Sequence, residues 1–319
     1  MKSQSLWLIK KNKPKILTND IEYKQNNKSV LVKTLYSGIS KGTEKLVANG
    51  NVHKSQFSIM KCPFQEGDFN FPIKYGYISV GKIIDGPSSI LGKTIFSLSP
   101  HQTIFEISIK NIHFIENKNI KKYLLTANME TAVNIFWDSQ AIKKDKILIV
   151  GLGSVGLLTA YYFALKGYKN LYVTDLNKNK KRIAKKLKLN FIDLAKVDNF
   201  DCIVNTTSSY NVLNESFTKL NLDGKLIEAS WYGNKIGKLN LGNEFHSKRL
   251  KIISSQVSNI PAHMKKKHNY KSRLKVAIDA LSNNDIMTLI NSNSKFKNLE
   301  KDYISILNNE NIIIHSIKY

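Results

Sequence analysis

Residues 146–156 read KILIVGLGSVG. The apolar run Ile147–Val150 leads straight into three glycines at the G-x-G-x-x-G spacing, which predicts a strand, a tight turn and a helix start. In that geometry Gly151 permits the turn, Gly153 lets the backbone approach a pyrophosphate, and Gly156 lets the following helix pack closely on the strand. The helix start at Ser154, Val155 and Gly156 offers free N–H donors and the positive end of a dipole to an anion. The segment LLTAYYFALKGY, 157–168, continues as an apolar helix, and LYVTD, 171–175, reads as a second strand ending in an acid. Asp175 stands where a carboxylate accepts hydrogen bonds from the adenosine ribose hydroxyls and repels a 2′-phosphate. The expected cofactor is a nicotinamide dinucleotide, with NAD(H) favoured over NADP(H), although Lys178 and Lys180 could still receive a phosphate. The competing reading is a glycine turn that serves packing only.

Outward from this motif the chain changes character. Strand and helix patterns alternate through LYVTD, KNKKRIAKKLKL, NFIDL, FDCIVNTTS, YNVLNESFTKL and GKLIEASWYG, the mark of a doubly wound parallel sheet. Thr206 and Thr207 after DCIVN, and Ser230, Trp231 and Tyr232 after GKLIEA, fall at the carboxyl ends of such strands, where these sheets bind ligands. The region before residue 123 is strand-rich and punctuated by glycine: SVLVKTLY (29–36), KYGYISVGKII (74–84), LGKTIFSL and HQTIFEISI all read as strands. A helix, LLTANMETAVNIFWDSQAI, leads into the glycine motif. The tail, a helical LEKDYISILNN followed by the apolar IIIHSI, is read as a closing strand that rejoins the first region. The expected domains are 1–122 with 285–319, and 123–284 as a dinucleotide-binding insertion. With 319 residues, two domains are the default.

The net charge of +25, from 49 Lys and Arg against 24 Asp and Glu, raises nucleic acid or an anionic membrane as partners. The lysines are spread through nearly every segment beside abundant Asn and Ile, however, a compositional bias more than a patch. The dense run Lys265–His268 precedes an amphipathic helix and reads as a solvated face. Nucleic acid is therefore disfavoured. No apolar run is long enough for a membrane span, and the four-residue apolar patch near the start is too short for a secretory signal core, so a cytoplasmic location is expected. Two isolated cysteines, Cys62 and Cys202, supply neither a disulfide framework nor a metal motif.

The order of parts, together with SGISKGTE (37–44), KYGYISVGKI, LGKTIFSL and TANMETAVN, resembles the medium-chain dehydrogenase/reductase superfamily over essentially the whole chain. More narrowly, SGISKGTE, FPIKYGY, PHQTIF, ANMETA and SWYG…FHSKRLKIISSQV resemble a group of bacterial zinc-type alcohol dehydrogenase-like proteins, some of which carry the name bacteriochlorophyllide dehydrogenase. The resemblance implies an α/β fold with a GroES-like β-rich catalytic domain and a Rossmann domain, a substrate cleft between them, and a small-molecule substrate. It also implies a nicotinamide-contacting threonine at Thr131. A homodimer stays open.

The departures from the zinc pattern bear on mechanism. The three ligand positions hold Ser40 (or Lys41 under a shifted alignment), Tyr77 and Ala127, whereas zinc needs thiolate, imidazole or carboxylate donors around one centre. No zinc is expected; a rescue site would have to come from Glu44, His101 and Glu130. Without a Lewis acid, the oxygen that gains charge during hydride transfer needs a hydrogen-bond donor or proton source. The catalytic candidates are Tyr77, His101 and Glu44, with Lys41 offering its charge to the substrate or the pyrophosphate. Each has a plainer alternative: Tyr77 as strand packing, His101 as a turn residue, Glu44 as the cap of a helix beginning at Lys45. His246 and Arg249 read equally well as contacts to an anionic substrate group or as a surface turn. The leading reading is an NAD(P)-dependent, zinc-independent oxidoreductase acting on an alcohol/carbonyl pair or an enone. The alternatives are a non-catalytic dinucleotide sensor or partner subunit, and a basic nucleic-acid-binding protein that borrows the fold.

Overall fold

The computed structural model describes the backbone of residues 1–319 and every side chain but that of Lys196. The chain divides into two compact units, Met1–Ala127 with Leu289–Tyr319, and Asn128–Thr288. In chain order the first unit opens with β1 (Lys2–Lys10), β2 (Lys13–Asp20), β3 (Ser29–Ile39), α1 (Lys41–Ala48), β4 (Glu66–Gly67), β5 (Ile73–Lys74), β6 (Ser79–Asp85), β7 (Thr94–Ser97), β8 (Ile104–Ser108) and β9 (His113–Phe114). Helix α2 (Thr126–Ser139) leads into the second unit: β10 (Ile147–Val150), α3 (Ser154–Leu165), β11 (Leu171–Thr174), α4 (Lys180–Lys186), β12 (Asn190–Phe191), β13 (Phe200–Asn205), α5 (Tyr210–Lys219), β14 (Leu220–Glu228), β15 (Lys251–Ser254) and α6 (Tyr270–Asp279). The chain ends with β16 (Ile290–Lys295), α7 (Leu299–Asn308) and β17 (Ile314–Lys318). Among the described residues no helix is long and apolar enough to cross a membrane.

The second unit is a six-stranded parallel sheet in the order β12-β11-β10-β13-β14-β15. All four residues of β10 are buried, as expected for a parallel strand with helices on both faces. Helix α3 is buried without a break from Gly156 to Phe163, so its uniformly apolar sequence marks an internal helix and not an amphipathic one. Leu148, Val150, Phe200, Ile203, Leu213, Phe217 and Leu226 form one core cluster here. From β10 the chain steps outward to β11 and β12, then returns to β13 on the opposite side of β10. That reversal puts the topological switch point at the carboxyl ends of β10 and β13, the place where open α/β sheets take ligands.

The first unit holds two antiparallel-dominated sheets, β2-β1-β5-β4 and a seven-stranded sheet built on β16-β17-β3-β6-β7-β9, with β8 also pairing β3. Strand β17 runs antiparallel to β3, His315 opposite Ile39, so the tail closes onto the first region. One element differs from expectation. The stretch 74–84 is not one strand: it breaks between Lys74 and Ser79, where Gly76 takes φ +117. A Cβ at Gly76 would lie 2.9 Å from both Cδ2 and Nε2 of His101, so the break admits the imidazole. Strand β1 carries no clear alternating signal because both of its faces are covered: Ser3 and Ser5 are buried on one, Leu6 and Leu8 on the other.

Candidate functional site

In the second unit the three motif glycines have different causes. Gly151 sits at φ +92, and a Cβ there would be 2.8 Å from Thr206 Oγ1. A Cβ on Gly156 would lie 1.8 Å from the Gly151 carbonyl oxygen, so the turn and the helix start are in backbone contact. Gly153 is different: its backbone is extended and a Cβ would meet nothing within 4 Å. The protein's own packing requires glycine at 151 and 156 but leaves the space above Gly153 open. Gly153 is also the N-cap of α3 and brings no side-chain cap, so the first N–H groups of the helix, beginning at Ser154 and Val155, are available to an anion.

Asp175, immediately after β11, is folded back onto this loop. Its Oδ2 accepts the Leu152 amide at 2.6 Å and its Oδ1 accepts the Asn177 amide at 2.7 Å. Each oxygen keeps a second lone pair for a ribose hydroxyl. Of the two threonines after β13, Thr206 braces the loop, its Oγ1 donating toward the Gly151 carbonyl at 2.8 Å, whereas Thr207 Oγ1 donates to Asn205 Oδ1 at 2.7 Å. Thr131 lies half-buried on α2. Arg249 pairs with Asp223 on an exposed turn, which favours the surface reading of that segment.

One group at this edge had no sequence signal. Glu228, the last residue of β14, accepts Asn205 Nδ2 at 2.7 Å and the Tyr232 hydroxyl at 3.1 Å on Oε2, and the Ser230 amide at 2.9 Å on Oε1. Burial raises the Glu228 pKa against these bonds, and burial with the neighbouring Glu228 charge raises that of Tyr232.

The first unit contains a buried polar chain. Glu44 and His101 have no exposed side-chain surface and meet at 3.1 Å, Oε2 to Nε2. The same Oε2 accepts the Tyr303 hydroxyl at 2.8 Å, and Oε1 accepts the Ser40 amide at 2.8 Å. On its other side, His101 Nδ1 faces Ser37 Oγ at 2.8 Å, which in turn faces the Tyr319 hydroxyl at 2.9 Å. With Glu44 as a carboxylate, Nε2 carries the ring proton and Nδ1 accepts from Ser37, so every donor has an acceptor along the line. Burial first, then Glu44, raises the pKa of Tyr303, and burial also raises that of Tyr319. Helix α1 begins at Lys41, not Lys45, and Glu44 reaches back from inside it to the N-cap Ser40. Tyr303 and Tyr319 escaped the sequence reading.

Tyr77 lies in the break after Gly76 and is half-buried. Burial of its phenol, then the nearby Glu44 charge, pushes its pKa well up, against the opposing pull of Ser40 and Thr43. It is a neutral donor, not a base. Lys41 Nζ donates to the Asn309 carbonyl at the end of α7, and Glu130 is held by Arg273, Oε1 to Nε at 3.1 Å. The carboxylate suggested for a rescue metal site is thus tied to a guanidinium. Among the described residues no three His, Cys, Asp or Glu side chains are grouped to hold a metal ion. The donor set Ser40, Tyr77 and Ala127 does not fit a zinc ion.

No family model matches the chain, and no curated protein matches it by sequence. Solved structures do match its fold over the full length. L-idonate 5-dehydrogenase from Escherichia coli K-12 superposes with a TM-score of 0.81 over 100% of this chain and 99% of its own, at 14% identity. A short chain alcohol dehydrogenase from E. coli CFT073, complexed with NADH, gives 0.76 over 100% and 99% at 16% identity. A chain described as a zinc-binding dehydrogenase from Sinorhizobium meliloti 1021, bound to NADP, gives 0.78 over 100% of both chains at 11% identity. The likeness is one of fold, the α/β architecture of a GroES-like β-rich unit with a Rossmann unit.

Proposed function

We propose that this chain is an NAD(P)-dependent oxidoreductase of the medium-chain dehydrogenase/reductase type, zinc-independent, which moves a hydride between nicotinamide and an alcohol/carbonyl or enone substrate of small size. Residues 128–288 are the dinucleotide domain, and residues 1–127 with 289–319 the catalytic one. The observation that carries the reading is the empty space above Gly153, beside two glycines that the protein's own backbone demands. A packing motif would need only the latter. The structural neighbours named for dehydrogenase activity, one with NADH and one with NADP, support it.

The nicotinamide, when bound, supplies the hydride acceptor or donor. The chain's own residues must then offset the charge that grows on the substrate oxygen. Tyr77 fits as a hydrogen-bond donor to that oxygen: a phenol with a raised pKa stays neutral and donates without leaving as a phenolate. His101 and Glu44 have no open surface and act as positioning residues. They fix the helix start at Ser40 and, through it, the surroundings of the Tyr77 hydroxyl. Asp175 favours NAD(H), because its carboxylate is held in place by two amides and opposes a 2′-phosphate.

The test separates an enzyme from a sensor. The purified chain is given NADH deuterated at the transferable position with panels of aldehydes, ketones and enones, and products are examined for deuterium. Label in a product carbon supports the reading. Saturable NADH binding with no transfer to any class would instead favour the non-catalytic dinucleotide sensor.

A further inference from the structure

The strand order fixes how a dinucleotide lies across the second unit if it binds at the glycine loop. Asp175 ends β11, the loop follows β10, and β13 and β14 lie on the far side of β10. With adenosine at Asp175 and pyrophosphate over residues 151–156, the nicotinamide end would face the carboxyl ends of β13 and β14. Those ends are Asn205 and Glu228, partners in register. A carboxylate there is unusual in its setting, because it is held on three sides. Asn205, Tyr232 and the Ser230 amide bind it. Tyr232 packs on Tyr210 with ring centroids 4.6 Å apart, and Tyr210 is clamped in turn by Gly237, where a Cβ would lie 2.1 Å from the ring. These neutral donors leave a net negative charge on a partly buried, positioned group.

An oxidised nicotinamide ring is a cation and a reduced one is neutral. A fixed carboxylate at partial burial interacts with the first far more than with the second. We propose that Glu228 is a charge-reading residue for the cofactor, which strengthens binding of the oxidised pyridinium form relative to the reduced form. This rests on the dinucleotide reading above and adds to it a redox-state preference set by one side chain. By linkage, the same residue lowers the reduction potential of the bound cofactor relative to free cofactor.

Dissociation constants for NADH, by its fluorescence, and for NAD⁺, by competition against NADH, are measured at pH 8 for the wild type, Glu228→Gln and the exposed control Glu215→Gln. Glu228→Gln keeps the shape and one acceptor oxygen but removes the charge. We expect it to weaken NAD⁺ by about three- to tenfold while NADH changes by less than about twofold, with no change of ratio in the control. Melting curves check folding; if Glu228→Gln does not fold, Glu228→Ala is used and must move the ratio in the same direction. An unchanged NAD⁺/NADH ratio, or equal weakening of both forms, overturns the proposal while leaving dinucleotide binding intact. Failure of the wild type to bind either form would overturn the functional reading itself.

Discussion

Glu44 and His101 meet at 3.1 Å with neither side chain exposed, and the same carboxylate oxygen receives the hydroxyl of Tyr303. A buried pair of this kind holds the structure more by what its loss would leave behind than by its own net energy. Removing the imidazole leaves a carboxylate with only two of its donors in a dry site. His101→Ala should therefore lower stability by about 3–5 kcal/mol, read by urea unfolding, and Tyr303→Phe by about 1–3 kcal/mol. Tyr77→Phe should cost only about 0.5–1.5 kcal/mol of stability and cut turnover by about tenfold to a thousandfold, with cofactor affinity within a few-fold. Normal turnover in Tyr77→Phe would remove the phenol from the mechanism.

The sequence made the second unit legible because its signals are local. KILIVGLGSVG contains a strand, a turn and a helix start within eleven residues, and each glycine has a cause visible in the spacing. The first unit was less legible because its site is assembled from distant residues. Glu44 and His101 are 57 positions apart, Glu44 and Tyr303 are 259 apart, and no periodicity encodes such a meeting. Tyr303 reads as one more apolar position on the face of α7 shared with Leu299, Ile306 and Leu307. Tyr77 looks like strand packing until Gly76 is seen to turn the chain to admit His101. Glu228 looks like a strand end beside polar residues, and only the register with Asn205 gives it a setting.

Metal content follows from the donor set. Ser40, Tyr77 and Ala127 offer no thiolate or imidazole, and Glu130 is committed to Arg273. Elemental analysis should find far less than one zinc per chain, and activity should survive a chelator. One tightly bound zinc per chain, with activity lost on its removal, would show that other residues hold a metal.

Cofactor choice is expected to follow Asp175. NADH should bind more tightly than NADPH, and Asp175→Asn should raise the NADPH-to-NADH affinity ratio by about tenfold through loss of the opposing charge. The exposed Lys178 works in the other direction. Tighter NADPH binding by the wild type would assign the dominant role to that lysine.

His315, on β17, gives an acid-side prediction. Burial is the first cause that lowers its pKa to about 4, and both ring nitrogens face serine hydroxyls, Ser292 at 2.9 Å and Ser294 at 2.8 Å. The folded pKa lies below the unfolded value of about 6.5, so the fold favours the neutral ring. Its contribution is therefore present above about pH 6.5 and is lost as the pH falls toward 4, at most about 3 kcal/mol in all. Unfolding free energies of wild type and His315→Gln should converge across that interval. A difference between them that stays constant with pH would show that His315 titrates alike in both states.

The glycine loop carries the central claim, and Gly153→Val tests it against Gly156→Ala in one titration with NADH fluorescence, with melting curves alongside. The space above Gly153 is open in the protein and the space above Gly156 is filled by the Gly151 carbonyl. Gly153→Val should therefore melt close to the wild type and lose NADH affinity by tenfold or more, on the order of 1.4 kcal/mol. Gly156→Ala should lose stability first, by at least about 1–3 kcal/mol of overpacking. Wild-type affinity for NADH in a well-folded Gly153→Val, or no NADH binding by the wild type, would contradict a dinucleotide site at this loop.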